Sequence, residues 1–456
     1  MTSGARGPSA LREPALARTL RFRHGVHPPE LKALTAALPI RRMPFPDELV
    51  LPLRQHLGKP ARLLARVGDA VERGDKLAAA DGFVSVPVHA SATGVVSEVG
   101  LVPHPDGGFE PGLRIAVEPW SAQRPRSRLV PEWEQLSPPQ LVAAVQDAGV
   151  VGLGGAAFPT HVKLSPPEGK RVRQIVLNGC ECEPYLTTDH RTMVEYPERV
   201  LTGLRIMMRC LGVERALIGI ERNKPDAIEA ISAVLPSDLD VRVQPLTVKY
   251  PQGAEKMLIK ALLGVEVPSG GLPLELGVLV QNVASAATIA EVFETGLPLV
   301  ERIVTVTGRG VARPANLIVP LGVKLRDVFE ACGGLTDDAA EVVLGGPMMG
   351  AAVANLDAPV LKGSTGVVVL TEQDCRQREV YACIRCGRCL ESCPVFLDPQ
   401  RLGALAGARR YESMRALHLS DCMLCGCCSY ACPSHIPLSQ LFRVSRDALR
   451  RQEATA

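Results

Sequence analysis

The 456-residue sequence has little that would take it across a membrane. Its most apolar windows, Gly277 to Ala290 and Val342 to Leu356, are shorter than the roughly 20 residues a spanning helix needs and contain Gln, Asn or Gly-Pro. Any meeting with a membrane is expected to go through partners. The opening stretch MTSGARGPSALREPALARTL carries arginines but no continuous apolar core of a signal peptide, so export is not expected. Aromatic residues make up only 4%, no basic run is interleaved with them, and the net charge is +3. No nucleic-acid partner is expected. The apolar fraction of 46% against 22% charged is that of a folded protein, and the length calls for three or four domains.

Cysteine is what the sequence has in a concentrated form. Nine of its fourteen cysteines fall between Cys383 and Cys432, which points to metal rather than to disulfides. They form two runs of the pattern CxxCxxCxxxCP: Cys383, Cys386, Cys389 and Cys393 before Pro394, then Cys422, Cys425, Cys428 and Cys432 before Pro433. Four thiolates suit a [4Fe–4S] cube, and in two-cluster ferredoxins the fourth cysteine of each run serves the other cluster. The expected sets are therefore Cys383, Cys386, Cys389 and Cys432 for the first cluster, and Cys422, Cys425, Cys428 and Cys393 for the second. Structural zinc also takes four cysteines, but it seldom needs the third cysteine of the run and the CP tail, both present twice here. Cys427 breaks the period and reads as a spare thiol. The intervening RLGALAGARRYESMRAL favours helix, so a helical ferredoxin domain is expected over 366–456.

Upstream, residues 1–40 read as an arm. Residues 41–119 show short apolar runs punctuated by Gly, Pro and Asp, the pattern of a small all-β unit. The text VGDAVERGDKL resembles a lipoyl or biotinyl carrier, but the hairpin ADGFVSVP holds no lysine, which excludes a swinging arm and leaves a structural β unit. A Pro-rich connector covers 120–140. From 141 to 300, β-type runs (QIVLNG, RALIGI, VRVQPL, GVLVQN) alternate with helical stretches, including Pro197 to Leu211 and Ala254 to Leu263. That alternation implies a parallel or mixed sheet with helices on its faces, where a nucleotide-type ligand is expected. A small α+β unit occupies 301–365, with the run TGVVVL closing it.

Two segments of the α/β region suit ligand chemistry. In GLGGAAFPT, Gly152, Gly154 and Gly155 let backbone approach an anion closely, although the spacing is neither GxGxxG nor a Walker loop and a tight structural turn fits equally well. In NGCECEPYLTTDHR, Glu181 and Glu183 follow a strand end, where ligands gather in α/β sheets; the bland alternative is a solvated, capped loop. Cys180 and Cys182, without a nearby histidine, read as inert thiols.

With GLGGAAFPTHVKL, NGCECEPY, YPQGAEKMLIKALLG, VPSGGLP and VQNVASAATIAEV followed by two cysteine runs, the chain resembles the RnfC family, the C-type component of the Rnf (Rsx) electron-transport complex, over about Arg21 to Leu441. It is more distantly similar to the flavin-carrying, NADH-oxidising subunit of respiratory complex I. The resemblance implies a barrel-sandwich hybrid, a Rossmann-like flavin domain, a β-grasp domain of the soluble-ligand-binding type and a helical ferredoxin domain. It also implies FMN held at Gly152, Gly154, Lys163, Asn178, Gly253 and Asn282, and NAD(H) near Gly155, Phe158, Glu183 and Glu255. The sequence departs from the complex I pattern at Leu153 for arginine, Ala157 for glycine, Cys180 for aspartate and Ala254 for glutamate.

The expected role is electron input at the cytoplasmic face of the bacterial inner membrane. NADH would reduce FMN, electrons would pass singly to two clusters, and other Rnf subunits, integral membrane ones among them, would connect the chain to ferredoxin or flavodoxin. A relay or scaffold subunit without a working nucleotide site is the alternative, favoured by the four departures. A soluble dehydrogenase with its own organic substrate lacks an acid/base constellation beyond the glutamates.

Overall fold

The computed structural model describes residues 21–124, 132–375 and 379–455. At its centre is a four-stranded parallel sheet in the order Asp240–Leu246, Arg215–Glu221, Gln174–Gly179, Val278–Asn282. Helices cover both faces of such a sheet, so its strands are apolar on both sides: Ile175, Val176 and Leu177 are all fully buried. Chain order runs outward in one direction from Gln174–Gly179 and then returns to its other side with Val278–Asn282. The two neighbours therefore form a topological switch point, with a crevice at their carboxyl ends.

The helix Pro197–Leu211 starts on a proline and ends on Gly212, whose left-handed φ of 61° lets its N–H reach back to the last turn. It crosses Val283–Thr295 closely enough that a Cβ on Gly203 would lie 1.8 Å from the carbonyl oxygen of Ala286. Gly203→Ala is accordingly expected to destabilise the domain by roughly 1–3 kcal/mol or more. A denaturant midpoint equal to wild type would show that the helices separate at no cost.

The all-β unit holds two antiparallel sheets, Glu48–Pro52, Phe109–Val117, Gly94–Pro103 and Ala70–Val71 in one, Arg62–Leu63, Lys76–Ala79 and Val88–His89 in the other. Leu49, Leu51, Leu77, Val96, Leu113 and Ile115 fill the space between them. The tip of its hairpin reaches the central domain, where Nε2 of His161 lies 2.7 Å from the carbonyl oxygen of Phe83.

A six-stranded sheet follows, in the order Ile40–Arg42, Ala315–Pro320, Glu301–Thr307, Gly366–Thr371, Ala339–Leu344, Ala351–Ala352, with the helix Leu325–Ala331 beside it. It extends beyond both boundaries drawn from the sequence. Gly366–Thr371 lies in the middle of the sheet, with Val367, Val368 and Val369 fully buried, and not with the cysteine region from 366 onward. Ile40–Arg42, at the end of the arm, pairs in parallel with Ala315–Pro320. The run TGVVVL reads as closing this unit, and the strand bears that out beyond residue 365, whereas nothing local places Ile40–Arg42 in the sheet.

Among the described residues of 379–455 there are helices and no strand: Arg388–Ser392, Pro399–Gly407, Tyr411–Arg415, Cys427–Ala431 and Leu438–Thr455, besides a short 3₁₀ turn. The segment between the runs that propensity marked as helical forms two helices, Pro399–Gly407 and Tyr411–Arg415, separated by a turn with Arg409 at a left-handed φ of 54°.

Candidate cofactor sites

The switch-point crevice gathers residues that lie far apart in the chain. Asn178 and Asn282 are register partners on adjacent strands. Asn178 donates its amide to the carbonyl of Gly253 at 2.8 Å, while Asn282 caps the helix Val283–Thr295 and donates to Asp189 at 2.7 Å. The glycine loop packs on top, and a Cβ on Gly154 would come within 3.3 Å of Asn282. Gly155, with φ of 116°, faces open space, and Phe158 closes the loop by accepting the Gly152 N–H at 2.8 Å. Lys163 donates to the Val280 carbonyl at 2.9 Å and stands 3.5 Å from Glu255, the first residue of the helix Glu255–Leu263. An ammonium, two amides, close-approach glycines and a helix start suit a phosphate and the polar edge of a ring.

The departures from the complex I pattern are accommodated by packing. Leu153 is buried in the core, and its N–H donates to Ser285 at 2.8 Å. Cys180 is fully buried, and its thiol donates to the Gly219 carbonyl at 3.7 Å. Ala157 holds a left-handed φ of 49° where the complex I pattern has glycine, a conformation that costs an alanine about 1–2 kcal/mol.

The two acids are not alike. Glu181 accepts the N–H groups of Asp189 and His190 at 2.7 and 3.1 Å and so caps the helix Thr188–Glu195. Glu183 points toward the six-stranded domain, accepting from the Met348 N–H at 3.1 Å and the Tyr250 hydroxyl at 3.4 Å. Burial pushes its carboxyl up to about 7. Asp189 is likewise pushed up to about 7, by burial and the nearby Glu181 charge.

The two cysteine runs share one local conformation. Gly387 and Gly426 have φ of 77° and 78°, Arg385 and Leu424 both 55°, Phe396 and His435 58° and 52°. Cys393, from the first run, lines one hollow together with Cys422, Cys425, Cys427 and Cys428 of the second. Cys389 has Cys386, from its own run, and Cys432, from the other, as neighbours. No three metal-ligating side chains among the described residues converge on a single-ion site. Cys383 and Cys386 are exposed, whereas Cys425, Cys427 and Cys428 are buried.

Several participants carried no signal in the sequence. The arm residue Lys32 is buried and donates to the carbonyls of Glu181, Glu183 and Leu186, which fixes the acidic loop. Tyr250 stands three residues before Gly253, whose carbonyl accepts from Asn178, so its loop forms one wall of the crevice; its hydroxyl donates to the Cys425 carbonyl at 2.8 Å and ties that wall to the second cysteine run. Asp189 emerges as the partner of Asn282. Removing the cap and that partner together, Asn282→Ala is expected to cost about 1–2 kcal/mol and to lower flavin retention. Thermal unfolding and flavin per chain measure the two effects, and unchanged values in both would remove Asn282 from the site.

A glycine loop over a parallel-sheet switch point, bonded to a helical region with two ferredoxin-type cysteine runs, defines the class as an iron–sulfur electron-transfer subunit with a nucleotide-type domain. Family models match in the same order: RnfC barrel sandwich hybrid domain over 20–118, Nuo51 FMN-binding domain over 145–291, SLBB domain over 303–352 and 4Fe-4S dicluster domain over 379–436. The chain is 44% identical to the C-type component of the proton-translocating ferredoxin:NAD(+) oxidoreductase complex of Clostridium ljungdahlii, over 86% of each chain. It is 40% identical to the counterpart in the Na(+)-translocating complex of Acetobacterium woodii, covering 88% of this chain and 90% of that one. Among solved structures, an NAD+-reducing [NiFe]-hydrogenase in the H2-reduced state is 22% identical over 68% of this chain and 61% of its own, with a TM-score of 0.47. The chain belongs to the RnfC family of ion-translocating oxidoreductase complexes.

Proposed function

We propose that this chain is the electron-input subunit of an ion-translocating ferredoxin:NAD+ oxidoreductase, exchanging electrons with NAD(H) in the switch-point crevice. The observation that carries this reading is the direct bond from the crevice wall to a cluster loop, Tyr250 to Cys425. FMN, when bound, accepts hydride as a pair of electrons and releases them one at a time, which the clusters require. Gly152, Gly154, Lys163, Asn178, Gly253 and Asn282 would hold it, with Gly155, Phe158 and Glu255 placed toward the nucleotide. The two [4Fe–4S] clusters would take the ligand sets that the hollow around Cys393 supports.

The domains read as a barrel-sandwich hybrid, a Rossmann-like flavin domain, a β-grasp domain and a helical ferredoxin domain. No helix among the described residues is long and apolar enough to cross a membrane. Attachment to the cytoplasmic face is accordingly assigned to partner subunits of the complex, which would connect the chain to ferredoxin. An anaerobic preparation analysed for iron, sulfide and flavin and then titrated with NADH tests the reading. About eight irons per chain and bleaching of both flavin and cluster absorbance are expected. Flavin-free protein whose clusters ignore NADH would instead favour a relay subunit without a nucleotide site.

A further inference from the structure

The N-terminal arm makes a chain of contacts that neither its sequence nor the assigned domains account for. Val26 forms a two-bond antiparallel bridge with Tyr250, at 2.8 and 2.9 Å. Just before it, the Gly25 N–H donates to the Ser392 carbonyl at 3.1 Å, and Nδ1 of His24 lies 3.1 Å from the carbonyl oxygen of Cys393. A carbonyl only accepts, so Nδ1 carries the proton in this contact. The His24 ring also rests on Phe396, with centroids 4.5 Å apart. Gly25 is required here, since a Cβ would lie 2.5 Å from the Tyr250 carbonyl oxygen and φ is 82°. Further along, Lys32 holds the acidic loop.

One short segment therefore grips the crevice wall at Tyr250 and the backbone of Cys393 at the same time. Tyr250 in turn grips Cys425. Cys393 and Cys425 come from different runs, yet both line the hollow of the second set. Without the arm, the crevice would touch this hollow from the Cys425 side and lose its hold on Cys393.

We propose that the arm is a strap that fixes the second cluster against the flavin crevice, with His24 as its positioning residue acting through the peptide carbonyl of Cys393. This rests on the ligand sets and the electron-input role given above. Hydrogen bonding and solvent exposure around a cluster set its potential, so a donor on a ligand's peptide and a ring that shields the same loop both bear on it.

The test uses the full chain, purified anaerobically with its clusters. His24→Phe keeps a ring against Phe396 and loses the donor; His24→Gln keeps a donor. In the phenylalanine variant the electron paramagnetic resonance signal of the second cluster should change and its midpoint potential should fall, with the first cluster unmoved. Its reduction by NADH should slow about tenfold, on the scale of one lost hydrogen bond, while flavin bleaching keeps its rate. The glutamine variant should match wild type in all of these. A second-cluster signal and rate unchanged in His24→Phe would overturn the proposal. So would an equal shift of both clusters, or a glutamine variant as altered as the phenylalanine one. Should His24→Phe fail to assemble, His24→Leu, which also loses the donor but is smaller, decides by the same readouts: a second-cluster signal, potential and rate equal to wild type would overturn the proposal. A wild-type chain with iron for only one cluster, or with none that NADH reduces, would instead refute the electron-input reading itself.

Discussion

Replacing Cys425 by Ser is expected to halve the iron of the anaerobically purified chain, from about eight atoms to about four, with flavin content unchanged. Cys425 is buried beside Cys422, Cys428 and Cys393 in one hollow, and its carbonyl receives the Tyr250 hydroxyl. Gly426 presses on the six-stranded domain, where a Cβ would lie 2.8 Å from the Met348 carbonyl oxygen. The hollow that would hold the second cluster thus touches the Tyr250 loop, whereas Cys383 and Cys386 of the first set are exposed. In Cys425→Ser, NADH should still bleach the flavin while the surviving first cluster stays oxidised over the same interval. Cys386→Ser should remove the first cluster and leave the second reducible. Cys427→Ala, which avoids burying a hydroxyl, should keep both, because Cys427, although it lines the same hollow and packs with Cys425, Val26 and Tyr250, falls outside the CxxCxxCxxxCP spacing that both runs share. Iron loss in the Cys427 variant would overturn the ligand sets.

How far the sequence could be read followed the range of the interactions. Pro197–Leu211 was legible to the residue, because a proline start, a 3.6-residue apolar period and a glycine stop are all local. The four parallel strands were legible as apolar runs, and the two cysteine patterns named their own chemistry. The crossing of Cys393 into the second set was expected only through the ferredoxin rule; in the structure Cys393 lines one hollow with Cys422, Cys425, Cys427 and Cys428. What stayed hidden depends on residues that meet across domains. Nothing around Lys32 announces three carbonyls some 150 positions away, and nothing in RFRHGVHPPE announces Cys393. Propensity marked RLGALAGARRYESMRAL as helical, and it is, in two helices, but the turn at Arg409 that divides them has no local signal. The glutamates show the limit most clearly. Two acids one residue apart looked equivalent, yet one caps a helix and the other faces a neighbouring domain.

That second acid leads to a pH dependence of stability. The Glu183 carboxyl, ordinarily near 4.5, is held at about 7 because burial disfavours its charge more than Met348 and Tyr250 favour it. The folded chain therefore binds this proton more tightly than the unfolded chain does. Its contribution is fully present below about 4.5, declines as pH rises to about 7, and changes no further above that. The size is about 3.5 kcal/mol at most, from roughly 1.4 kcal/mol per pH unit. Asp189, moved in the same direction, adds to the slope. Glu183→Gln keeps the shape and an acceptor for the Met348 N–H but cannot ionise. The gap in thermal midpoint between pH 5 and pH 8 should be smaller in the variant than in wild type. Nucleotide choice offers an independent reading of the same carboxyl. If Glu183 addresses the dinucleotide, wild type should prefer NADH over NADPH more strongly at pH 8, where it is charged, than at pH 5, where it is neutral. The variant should show the weaker preference at both. Stopped-flow bleaching of the flavin with each nucleotide measures this. A preference that is independent of pH in wild type and intact in Glu183→Gln would leave Glu183 as a residue of the domain interface alone.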